Sequence, residues 1–137
     1  MSVHFGLGCI KLDPESGQYT WLSNLMEDPQ SVRLKASPIS VHTETWQDTA
    51  ELHELMGPHS AFVQKARALS PDIDFGFYDV QEPQNPAHVL RTLQALQKVV
   101  ESQEWPFLHL DKRIVERMIQ VCNTAIHNGL KIWAIYS

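Results

Sequence analysis

LKIWAIY, residues 130–136, is apolar at both alternating sets of positions apart from Lys131. A strand with one solvated face alternates apolar and polar residues. A run without that alternation predicts a strand covered on both faces, here a central strand at the C-terminal end. The preceding segment fixes its place. Between Asp111 and Asn128-Gly129, the residues Ile114, Val115, Met118, Ile119, Val121, Cys122, Ala125 and Ile126 fall within an arc of about 160° at helical spacing. Asp111 supplies a start signal and the Asn-Gly pair a stop. Asn85-Pro86 opens an earlier helix in the same way, with a cap followed by proline at the first helical position. Val89, Leu93, Leu96 and Val100 trace its apolar stripe. Upstream again, IDFGFYDV, residues 73–80, has the aromatic enrichment of a strand. Two helices thus separate two strands, and a helix pair that folds back returns the chain to the end it left. The strands at 73–80 and 130–136 then run antiparallel if they are neighbours.

A second helix pair lies before residue 73. Thr45 with Asp48 has capping-box spacing ahead of a helix over 46–56, which Gly57-Pro58 stops. Residues 60–69 put Phe62, Val63, Ala66 and Leu69 on one side of another helix, ended by Ser70-Pro71. At the N-terminus, Val3, Phe5, Leu7 and Cys9 alternate with His4, Gly6 and Gly8. The stretch Asp13-Pro14-Glu15-Ser16-Gly17 then supplies a turn, so a β-hairpin is predicted. Residues 23–30 read as a loop. Residues 31–42 resume alternation through Val32, Leu34 and Ala36, with Pro38 marking an edge strand or a break. This order predicts one α+β domain over residues 1–137, with a mixed or largely antiparallel sheet, two helix pairs, an N-terminal β-hairpin and a central C-terminal strand.

The totals bound the function. A chain of 137 residues buries roughly two-thirds of its unfolded surface. With 43% hydrophobic and 20% charged residues it has the composition of an ordinary globular domain. A net charge of −5 argues against nucleic-acid binding, which rests on clustered Lys and Arg. No stretch approaches the roughly 20 apolar residues of a membrane span. Gly8-Cys9 superficially matches a lipoprotein cleavage site, but no basic region precedes it and the apolar run is too short. Two cysteines without CxxC spacing predict no disulfide framework, and a cytoplasmic setting is expected. Cys9 and Cys122 both fall on inward faces and read as small buried hydrophobes.

Three stretches carry candidate chemistry. ELHELMGPH, residues 51–59, resembles a zincin helix, but the second histidine is six residues on and beyond Gly57-Pro58 rather than four on and in the helix. With Trp46 as origin, His53 falls at about 340° and Glu54 at about 80°, so His53 is expected to face the core and Glu54 the solvent. No metal site is predicted. On the first strand, His4, Gly6 and Gly8 share one face, where paired glycines admit a packed element or form a pocket with His4 as its polar group. In QEWPFLHLD, residues 103–111, the residues Trp105, Phe107, Leu108 and His109 form an apolar connection that either folds over the core or contacts a partner. The acids Asp72, Asp74, Asp79 and Glu82 lack the spacing of a calcium loop. No phosphate loop, nucleophile elbow or catalytic triad ordering is legible, so no cofactor and no catalytic residue is expected. The expected function is non-catalytic protein binding or inhibition, with Trp105, Phe107, Leu108 and His109 as contact residues, and a homodimer is compatible with the sequence. The other reading is a small-molecule binder or enzyme using His4 beside Gly6 and Gly8.

Overall fold

The computed structural model describes residues 4–21, 38–78 and 80–136. Its elements run β1 (Phe5–Leu12), β2 (Tyr19–Trp21), β3 (Ser40–His42), α1 (Trp46–Met56), α2 (Ala61–Leu69), α3 (Pro86–Glu101), α4 (Ile114–His127) and β4 (Lys131–Tyr136). Of the strand expected over residues 31–42, residues 40–42 form β3, and residues 31–37 lie outside the described residues, as does the loop expected over residues 23–30.

The architecture is α+β. All strand pairs among the described residues are antiparallel, and β1 holds the sheet together by pairing with β2, β3 and β4. The predicted hairpin forms β1 and β2. Its turn closes through the Asp13 carboxylate, which accepts from the Glu15 amide at 3.0 Å and the Ser16 hydroxyl at 2.9 Å. These hydrogen bonds hold the Asp13 carboxyl below its usual pKa. Gly17 takes φ 70°, the left-handed conformation foreseen for it. β4 lies along β1 over six residue pairs. On its outer side Gln84 exchanges backbone hydrogen bonds with Ile132, at 2.8 and 3.2 Å, so the closing strand has neighbours on both edges.

The pleat divides β1 into two faces. Phe5, Leu7 and Cys9 join Val41, Ile132 and Ala134 in the main core with the helices. α4 packs on this face, α3 on α4, α2 on α3 and α1 on α2. The core side of α4 is Ile114, Val115, Met118, Val121, Cys122 and Ala125, each at most 5% exposed. Each large side chain so buried contributes about 1.5–3 kcal/mol. Thr124 is also buried, its hydroxyl bonded to the Gln120 carbonyl at 2.9 Å, whereas Ile126 at the edge of the predicted arc is 44% exposed. The α4 start differs slightly from expectation: Asp111 caps a preceding turn by accepting the Arg113 amide, and the helix begins at Ile114.

Three sequence expectations fail. β4 is fully covered on one face only: Ile132 and Ala134 are buried, whereas Lys131 is exposed and Trp133 and Ile135 are half-buried. The strand expected over residues 73–80 does not form among the described residues; Gly76–Tyr78 is a 3-10 turn. Asp74 accepts the Gly76 amide at 2.7 Å, a local bond that competes with extended pairing, and consecutive burial of Phe77 and Tyr78 breaks strand alternation. The inner face of α1 also differs from the expected one. Leu52, Leu55 and Met56 are buried, while Trp46 is 65% exposed and His53 faces solvent.

Candidate functional site

Two of the three stretches singled out in the sequence, residues 51–59 and 103–111, meet in space. A cleft of about 460 Å³ lies where α1 ends and α2 begins, walled by His53, Glu54, Pro58, Phe62, Pro106 and Phe107. Its base is a tight corner. Gly57 closes α1 with its amide on the His53 carbonyl at 2.7 Å, and a Cβ there would collide with that same carbonyl. Ser60 then caps α2, its hydroxyl accepting from the Phe62 and Val63 amides and donating to the Leu55 carbonyl at 2.6 Å. Capping of this kind contributes about 1 kcal/mol and fixes the direction of the second helix. Among the described residues no three His, Cys, Asp or Glu side chains converge as metal ligands.

The other wall is the connection between α3 and α4. The Trp105 indole N–H donates to the Leu110 carbonyl at 3.0 Å and closes the loop on itself. Glu51 of α1 anchors it from outside, accepting from the His109 amide at 2.7 Å and the Leu110 amide at 3.0 Å. Phe107 lies edge-on to Trp105 with centroids 5.0 Å apart, and 6.1 Å from Phe62 of α2. Trp105 and Phe107 are therefore half-buried against the core, and Leu110 is fully buried. Leu108 is the exception, 92% exposed beside exposed His109. The apolar loop both folds down and leaves one large aliphatic side chain in water.

A second cleft, about 510 Å³, lies on the face of the sheet opposite α4 and is lined by His4, Gly6, Trp21, His42, Glu44 and Ile135. Register explains this grouping, since Gly6 is opposite His42 on β3 and Ile135 on β4. The two glycines are not equivalent. A Cβ on Gly8 would run into the Trp21 ring, 2.6 Å from Cε3, whereas one on Gly6 would meet nothing closer than 3.7 Å. His4 and Gly6 thus line an opening, and Gly8 is the floor on which Trp21 rests. A smaller polar hollow of about 180 Å³ at the start of α3 includes Asp72, Asp74, His88 and Arg91. Arg91 is paired with Asp72, and the Asp74 carbonyl accepts from Thr92.

The thiols stand apart from all three hollows. Cys9 and Cys122 are buried and free, and the Cys9 Sγ donates to the Val121 carbonyl at 3.6 Å. Burial raises both thiols to about 12, Cys122 also through its neighbour Cys9, so neither is a nucleophile at neutral pH. Sequence reasoning missed the corner because it placed His53 inside. The spacing of Leu52, Leu55 and Met56 was the available signal for the true face. No family model, curated protein or solved structure matches this chain. Among the described residues no helix is long and apolar enough to cross a membrane.

Proposed function

We propose that the chain is a non-catalytic protein-binding domain whose contact surface is the corner cleft together with the loop carrying Trp105, Phe107, Leu108 and His109. The observation that carries this reading is Leu108, 92% exposed on a loop whose neighbours are pinned by Glu51 and by the Trp105 indole. A single exposed leucine is unremarkable on a mobile loop. Held in a fixed position beside a cleft, it suits insertion into a partner's pocket, because little conformational freedom is then lost on binding. The net charge of −5 favours a basic partner and faster encounter with it. Affinity capture from lysate of the source cells with the wild type and with Leu108→Asp tests the reading. A partner held by the wild type and lost by the variant supports it, and equal capture by both refutes it.

The sheet cleft favours a second reading as a small-molecule site. Its volume lies in the range of roughly 300–1,000 Å³ usual for ligand pockets, and His4, His42 and Glu44 supply polar groups beside Trp21 and Ile135. Ligand-induced change in Trp21 emission, absent in Gly6→Val, is the expected sign of such binding. A soluble compound screen in which every response survives Gly6→Val would refute it.

A further inference from the structure

We infer that the corner cleft receives a basic side chain of the partner, an arginine, a reading that rests on the proposed partner-binding surface. Glu54 is the one lining residue with a formal charge at neutral pH by composition, and the cleft has no Lys or Arg in its walls. Its carboxylate is exposed at the end of α1, and none of the ion pairs among the described residues involves it. The Ser60 hydroxyl is already committed to capping α2 and to the Leu55 carbonyl. The C-terminal end of α1 and the N-terminal end of α2 meet here, so their opposite dipole ends offset and the carboxylate sets the sign of the site.

The apolar walls select among cations. Phe62 and Phe107, with centroids 6.1 Å apart and planes tilted by 35°, present ring surface on one side, and Pro58 and Pro106 extend it. A guanidinium stacks on aromatic faces and pairs with a carboxylate through two parallel hydrogen bonds, whereas an ammonium is a compact, strongly hydrated charge. The methylene stem of arginine packs along the apolar walls while its head reaches Glu54. The nearest lysine in sequence on α2, Lys65, is one turn beyond Phe62 and is not among the lining residues.

The test uses the full chain and two probes, the capped tripeptide Gly-Arg-Gly and its counterpart with citrulline, which keeps the shape of arginine without its charge. Titrated by amide NMR, the arginine peptide is expected to shift residues 53–62 and 105–107 and to bind at least about tenfold more tightly than citrulline, a difference of about 1.4 kcal/mol. Glu54→Gln, an exposed and nearly isosteric change, should abolish that preference while leaving the rest of the spectrum in place. Equal binding of the two peptides, a preference that survives Glu54→Gln, or no shift at these residues would overturn the inference. The capture experiment turns on Leu108 and this titration on Glu54 with an isolated probe. A partner lost with Leu108→Asp but no arginine preference would therefore leave the partner surface standing and reject only the basic side chain.

Discussion

Gly6 and Gly8 are two residues apart on one face of β1, and alanine at each should have opposite effects. At Gly8 the new Cβ would lie 2.6 Å from Trp21 Cε3 and 3.2 Å from Ser40 Cβ, so the indole must leave its place on the strand. Overpacking of this kind costs about 1–3 kcal/mol. At Gly6 the nearest atoms are Ile135 Cγ2 at 3.7 Å and His42 Cβ at 3.8 Å, ordinary contact distances. There alanine restricts the unfolded chain without native strain, a gain of about 0.4–1 kcal/mol. An unfolding entropy of about 2.1 cal/mol/K per residue, over 137 residues, gives about 0.29 kcal/mol/K, so 1 kcal/mol moves Tm by about 3.5 °C. Thermal unfolding followed by circular dichroism should show Gly8→Ala falling by about 3.5–10 °C and Gly6→Ala rising by about 1–3.5 °C. Adding Trp21→Ala to Gly8→Ala should cost much less than the sum of the two single changes, since the collision is then gone. Equal losses at both glycines, or full additivity with Trp21→Ala, would refute the packing of Trp21 on Gly8.

Other outcomes follow from the same structure. Glu51→Ala should cost about 1–2 kcal/mol, because it removes a carboxylate that accepts two backbone amides in a partly solvated position, and hydrogen exchange should quicken at His109 and Leu110 but not within α3. Leu108→Asp should leave stability within about 0.5 kcal/mol of wild type, since the side chain is 92% exposed, so any loss of partner binding reports the surface rather than unfolding. Cys9 and Cys122 should resist thiol reagents at pH 8 in the native state and react together in denaturant, with native labelling of either one as the contrary result. Their folded pKa values of about 12 exceed the ordinary 9.0, so their contribution to stability is complete below pH 9 and declines as pH rises toward 12. Urea midpoints that stay flat across that alkaline window would contradict this sign.

The helices were legible because local signals and tertiary packing agree there. Thr45 and Asp48 form the capping box, Ser60 caps α2, and Asn85-Pro86 starts α3. The antiparallel sheet was legible from the hairpin, whereas counting helices between strands rested on a strand at 73–80 that is a 3-10 turn beside a single bridge at Gln84. What failed was the orientation of short or mixed segments. In α1, weak amphipathicity and a large exposed Trp46 drew the apolar face to the wrong side and took His53 with it. The meeting of Glu51 with the loop amides of His109 and Leu110 spans 58 and 59 residues, a separation no local pattern encodes. The apolar content of residues 103–111 did announce an unusual connection. Only the structure divides it into anchored Trp105 and Phe107 and protruding Leu108.

The most direct measurement is hydrogen exchange of the chain free and bound to its captured partner. Slowed exchange confined to residues 53–62 and 105–110 is the expected result, since the corner and the pinned loop would then be covered together. Protection instead along β1 and β3, at Phe5 to Gly8 and Ser40 to His42, with the corner unchanged, would contradict it and move the function to the cleft lined by His4 and Gly6.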